Sequence, residues 1–203
     1  MKTMDTMDAL AQESLALRAR YDEEPGHSDH VAALAAQIFD GLLPWHNLSP
    51  RSRKLLHSAA LLHDIGWSQS PDGKGHHKWS ARLIQDHAWK NLTPEEVPVV
   101  AQIARYHRKA PPQPDHAEFH ALKPAAQKSV MILGGILRVA DALDRTHTGM
   151  VARVEASVTK EAVLVRIQPA GTWNPEHVTF EMKADMLQMA AERPVLCEEM
   201  RAV

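Results

Sequence analysis

The chemistry of this chain begins at Asp64. It follows His63 in the run Ala59-Ala60-Leu61-Leu62-His63-Asp64-Ile65-Gly66, and Leu55 and Leu56 continue the apolar pattern backwards. That pattern predicts a buried helix ending in His63-Asp64 and closed by a glycine stop at Gly66. An unpaired carboxylate in such surroundings is costly. A bound metal ion would neutralise it, with the adjacent imidazole as a natural co-ligand. The C-terminal end of a helix also carries partial negative charge, which favours a cation. A His-Asp pair alone is a weak signal, so its meaning depends on partners elsewhere.

Thirteen residues are histidine, and a site has to be separated from that background. The stripe Val31, Leu34, Ala35, Ile38 and Leu42 projects back four residues from Val31 onto His27, with His30 on a neighbouring line; His27 is the preferred inward residue. His76 precedes Ser80 by one turn and Leu83-Ile84 by two, so it can point inward from a helix start. His107 continues the stripe Val97, Val100, Ala101 and Ala104. Asp141 falls four residues after Leu137 on the buried side of a long apolar helix. Histidine and acid side chains projecting inward from separate helices are how helical proteins build metal sites. Four such groups would hold one ion; six, with Asp64 bridging, would hold two. His30 and His77 could substitute for their neighbours. His46, His57, His87, His116, His120 and His177 lack any such context.

The elements that must position these residues are mostly helices. Periodicity predicts helices over 6–21, 28–43, about 50–66 (capped by Ser49, with Pro50 first), 76–89, a fifth capped by Thr93, and a long one over 124–147. Breaks fall at 22–26, at Pro44 to Pro50, in the polar stretch 68–75 and in the Pro-rich loop up to about Lys123. After Gly149 the pattern changes. Residues 151–158 and 163–167 alternate as strands joined through Thr159-Lys160-Glu161. Asn174-Pro175 suggests a helix start, 175–183 is ambiguous, and 183–192 is helical and ended by Pro194. The expected fold is mainly α: a helical bundle over 1–148 and a small α+β appendage over 149–203, a strand hairpin plus a helix, either separate from the bundle or part of the same domain.

A formal charge of -2 argues against a nucleic-acid binder driven by bulk electrostatics. Cys197, the single cysteine, excludes an internal disulfide and fits a reducing compartment. The N-terminus has no apolar run of signal-peptide type, and Val130 to Ala140 is broken by Arg138 and too short to span a bilayer. A cytoplasmic protein with no membrane partner is expected.

The order His, His-Asp, late Asp resembles the HD superfamily of metal-dependent phosphohydrolases. Within it the chain is similar to the HD domain of exopolyphosphatase / guanosine pentaphosphate phosphatase (Ppx/GppA) proteins. The segments that carry the likeness are His27-Ser-Asp-His-Val-Ala-Ala-Leu-Ala, Ala60-Leu-Leu-His-Asp-Ile-Gly, Lys74-Gly-His-His-Lys-Trp-Ser, Ala104-Arg-Tyr-His-Arg-Lys and Leu137-Arg-Val-Ala-Asp-Ala-Leu-Asp-Arg, spread over about 22–148. The resemblance implies a metal set of His27, His63, Asp64 and Asp141, with His76 and His107 matching the extra histidines of members that hold two metals. It departs at Trp79, where related proteins often carry another histidine. The actin-like ATPase domains that hold the polyphosphatase site of such proteins have no counterpart in these residues, so that activity does not transfer directly.

The expected function is a metal-dependent phosphohydrolase using one or two divalent ions (Mn, Fe, Mg, Ni or Zn) and metal-activated water. Asp64, Lys109 and Arg145 would be the catalytic residues, the two cations facing phosphoryl oxygens. The competing reading of Arg145 is an ion pair with Asp141 one turn away. The expected partner is a small phosphorylated substrate (a nucleotide, a (p)ppGpp-like compound) or polyphosphate. The alternative is a non-catalytic, metal-containing module that binds nucleotide or polyphosphate for regulation.

Overall fold

The computed structural model describes residues 8–200 except 23, 71, 73 and 171–175. Its helical body consists of α1 (Ala9–Arg18), α2 (Pro25–His46), α3 (Pro50–Leu62), α4 (His76–Asp86), α5 (Glu96–Arg105), the single-turn α6 (Ala117–His120) and α7 (Pro124–Leu143). The remainder is β1 (Val151–Val158), β2 (Val163–Pro169), α8 (Glu176–Lys183), α9 (Asp185–Ala191) and β3 (Val195–Glu199). The fold is mainly α with a small C-terminal sheet. The suggested helix start at Asn174-Pro175 lies outside the described residues.

α7 is the central element. Every residue from Ile132 to Leu143 is buried, as expected of a helix apolar on all sides. It packs against α2, α3 and α5 on one side and against α8 and α9 on the other. Gly135 allows the last of these contacts: a Cβ there would lie 2.8 Å from the backbone N and Cα of Leu187 on α9. The antiparallel hairpin β1–β2 pairs Val154 with Ile167 and Ala156 with Val165, and its inward residues join the same apolar cluster as the helices. Thr159 closes the hairpin, its hydroxyl oxygen accepting from the N–H groups of Glu161 and Ala162.

Several boundaries differ from the sequence reading, each for a local reason. α2 runs through Pro44 to His46 before Asn47 ends it in the left-handed conformation (φ 49). A proline in a last turn removes only one N–H, and the helix tolerates it there. β3 is an unexpected third strand, parallel to β2, with Val163 opposite Val195. A parallel pair needs a long crossover, and the segment holding α8 and α9 supplies it. α3 ends at Leu62, and Ile65–Gln69 forms a 3-10 turn. Gly66 is therefore no helix stop. Its N–H donates to the Ser80 hydroxyl at 2.9 Å, and a Cβ there would collide with the backbone of His76 and Ser80. Glycine at this position lets the start of α4 close onto the end of α3. Among the described residues, no helix is long and apolar enough to cross a membrane.

Gly66→Ala should therefore lower unfolding stability by about 2 kcal/mol or more, because the obstruction is backbone and cannot rotate away. Gly26→Ala, where a Cβ meets nothing within 4 Å, should leave stability within about 0.5 kcal/mol of the parent. Denaturant unfolding of the two variants checks the contrast.

Candidate metal centre

The helix boundaries place the chemistry-bearing residues at element ends around one point. His27 stands in the first turn of α2, and His63 and Asp64 follow the last residue of α3. His76 opens α4, His107 lies just past the end of α5, and Asp141 sits in the last turn of α7. The Asp64 carboxylate divides its two oxygens between two sets of imidazoles. Oδ1 lies 3.3 Å from His76 Nε2 and 3.4 Å from His107 Nε2. Oδ2 lies 3.5 Å from His63 Nε2 and 3.9 Å from His27 Nε2. Asp141 Oδ1 completes the second set at 3.5 Å from His27 Nε2 and 3.8 Å from His63 Nε2. The nitrogens of His76 and His107 face each other at 3.3 Å.

The outer nitrogens explain why the inner ones point here. His63 Nδ1 bonds the Ala60 carbonyl at 2.7 Å, and His107 Nδ1 bonds the Ala104 carbonyl at 2.6 Å. A carbonyl only accepts, so each Nδ1 carries the proton, and in a neutral ring Nε2 keeps a lone pair aimed at Asp64. Asp144 Oδ2 holds His27 Nδ1 in the same way at 2.8 Å. A carboxylate or carbonyl on the far nitrogen is the usual support behind a metal-ligating histidine.

The residues present fit a divalent ion. His27 Nε2, His63 Nε2 and Asp64 Oδ1 are buried without a hydrogen-bond partner, which proteins seldom leave uncompensated. Burial works against ionising Asp64, but the neighbouring imidazoles of His63, His107 and His76 outweigh it and hold its carboxyl below the usual range. Asp141 is held well below that range: burial opposes this, and Lys183 and His27 prevail. Asp144 is lowered as well, by its hydrogen bonds to His27 and Gly149 against the cost of burial. Burial depresses the basicity of His27, yet Asp141, Asp144 and Asp64 together raise it to about 9. The His27 imidazole thus faces the carboxylates of Asp64, Asp141 and Asp144, of which Asp141 alone also meets the Lys183 ammonium, an excess of acidic groups that a divalent ion would balance.

Four participants gave no clear signal in the sequence. Lys183, at the end of α8, reaches Asp141 Oδ2 at 2.6 Å and the His107 carbonyl at 2.8 Å. Arg138 is buried and donates to the carbonyls of Tyr106 and Lys109 and to both carboxylate oxygens of Asp185. His147 stacks on His27 with ring centres 3.7 Å apart. Asp144 alone could have been anticipated, because it lies three residues from Asp141 on the same helical side.

Trp67 stacks on His76 at 4.2 Å and lines a cleft of about 450 Å³ together with His27, Asp64, Tyr21 and His147. Trp79 points away, 38% exposed, beneath the Arg82 guanidinium, so the His76–His107 set assembles without a residue from that position. Lys109 lines a different cleft, beside Lys78 and Arg108. Arg145 is exposed and lies outside the lining of the first cleft, and the ion pair to Asp141 is made by Lys183 instead. Among the histidines without site context, His46 bonds the Phe39 carbonyl and His116 the Tyr106 hydroxyl.

A family model described as Ppx/GppA phosphatase, domain III, matches residues 12–188. No curated protein matches the chain.

Freed of metal by a chelator, the protein should show the titration of His27 in its stability. The folded value of about 9 exceeds the ordinary 6.5, so the stabilisation is complete below about pH 6.5 and lost as pH rises through about 9. His77 and His107 are shifted downward, so their linkage lies below this window. Thermal unfolding of the chelated protein should fall by several degrees between pH 6.5 and 9, and His27→Gln should flatten that slope.

Proposed function

The chain belongs to the Ppx/GppA phosphatase domain III family, and from that premise we propose that it is an HD-type, metal-dependent phosphohydrolase acting on a phosphate ester or anhydride. The observation that carries this reading is Asp64, whose two oxygens each face two imidazole nitrogens. His27, His63, Asp64 and Asp141 would hold one divalent ion; His76 and His107, with Asp64 shared, would hold another. Bound ions would supply an activated water near neutral pH and positive charge opposite the phosphoryl oxygens.

The chain's own residues prepare the site for that chemistry. Asp144 and the Ala60 and Ala104 carbonyls fix which nitrogen of His27, His63 and His107 is turned to Asp64. Lys183 anchors Asp141 in place. Trp67 and His147 wall the cleft through which a phosphorylated group would approach Asp64. Lys109 and Arg145 do not line that cleft, so the reading rests on the six ligand-type residues and not on these two cations. Nucleotides, (p)ppGpp-like compounds and polyphosphate are the substrate classes to screen.

A binding module without catalysis is the second reading. It is favoured by a match to one domain of a phosphatase and by the lack, among the described residues, of any Lys or Arg in the lining of the cleft over Asp64. Calorimetric binding of these ligands without product formation would select it.

Elemental analysis of the purified protein should find up to two divalent ions per chain. Asp64→Ala should lose both and abolish turnover, whereas His76→Ala should lose only one. Asp144→Asn, which weakens the support behind His27 without removing a ligand, should reduce metal affinity about 10- to 100-fold. Absence of metal, together with no turnover on adding any divalent ion, would sink the proposal.

A further inference from the structure

Among the described residues, no lysine or arginine lines the cleft over Asp64, and Asp22 and Glu24 are among its walls. The cations gather on another side of the His76–His107 set. Lys78, Arg105, Arg108 and Lys109 line a second cleft of about 350 Å³ together with Gly75 and His77. Two short segments build it. In His76-His77-Lys78 and in His107-Arg108-Lys109, the first residue turns to Asp64 and the following two line the second cleft.

The cations in this cleft are not used up by the fold. Among the described residues, Lys78, Arg108 and Lys109 make no ion pair, and Arg105 lies over the Tyr106 ring at 5.8 Å. The acids that act on this region are Asp115 and Glu118, felt at Tyr106; neither lines the cleft. Like charges held together without carboxylates between them repel one another, and a bound anion relieves that repulsion.

Three further observations concern the lining of this cleft. His77 is more than nine-tenths buried, and its Nδ1 has no hydrogen-bond partner. The 11-residue helix α4 begins there with Gly75 (φ 79) at its N-cap and no side-chain cap, so the positive end of the helix faces the cleft. Lys109 holds a left-handed backbone (φ 65), uncommon for a long side chain, and buried Arg138 pins it by bonding its carbonyl at 2.7 Å. Such a conformation persists only where its surroundings enforce it.

We infer that this second cleft is a separate, metal-independent oxyanion site that takes a phosphate group on Lys78, Arg108, Lys109 and His77. Arginine offers forked contacts to two phosphate oxygens, and each lysine a mobile point charge. The site is independent of the ions proposed at Asp64. The phosphate could be free orthophosphate or one group of a larger phosphorylated molecule, since both present the same tetrahedral face.

Calorimetric titration with inorganic phosphate in the presence of a chelator tests this. The wild-type protein should bind saturably at one site, and the affinity should fall as salt is raised. The double variant Lys78→Ala/Arg108→Ala should bind at least about tenfold more weakly, two charge-assisted contacts being lost. Asp64→Ala, which disables the proposed metal centre, should bind like wild type, so failure of the metal reading leaves this result unaffected. Tighter binding of tripolyphosphate than of orthophosphate would assign the site to a larger phosphorylated molecule; equal or weaker binding would assign it to free phosphate. No saturable binding by the chelated wild type, or equal affinity in the wild type and the double variant, would overturn the inference.

Discussion

A half-buried carboxylate between four imidazoles is the constraint around which this molecule is arranged. Removing Asp64 from water costs several kcal/mol unless charge and hydrogen bonds compensate, and here the compensation comes from four directions at once. α2, α3, α4 and α5 each bring a histidine from an end, where side chains converge without the helices having to cross at one point. The tight closure of α4 against the turn after α3, permitted by Gly66, brings His76 within 3.3 Å of Asp64. Packing and electrostatics are inseparable here, because a slightly wider gap would leave the carboxylate unsupported.

The C-terminal region takes part in this arrangement. α8 and α9 lie against α7 and deliver Lys183 to Asp141 and to the His107 carbonyl. Arg138 ties α7 to Asp185 at the start of α9 and to the loop after α5. A buried arginine with all these acceptors holds a junction rigidly, and the loss of any one acceptor would leave a buried charge short of partners. The strands close the other flank, where β1 packs on α2, the helix that carries His27. The small sheet therefore shares one apolar core with the helices and stabilises the elements that bear the site.

Much of this was legible from residue types and spacing. The apolar stripes on α2, α5 and α7 point in the sequence to His27, His107 and Asp141, and all three are buried beside the His63–Asp64 pair. The Ser49 cap and Pro50 mark the start of α3 correctly, with Ser49 Oγ accepting from the Ser52 N–H. The misplaced boundaries have a common cause. Gly66 and Pro44 are read locally as stops, whereas a close tertiary approach explains the first and a tolerant last turn the second. β3 escaped notice because Val195 and Cys197 form a short strand whose pairing partner lies about thirty residues earlier, across the crossover.

The sequence by itself determined the helical class and the set of inward histidines and acids, because helical periodicity assigns a side chain to a face without reference to the rest of the chain. Only the tertiary structure decided how those groups divide. It gives each oxygen of Asp64 its own pair of imidazoles, turns Trp79 outward, leaves Arg145 exposed and brings Lys183 to Asp141 from more than forty residues away. The physical reason is that charge pairing depends on separations of a few ångströms between elements remote in the chain, and no local pattern encodes those distances.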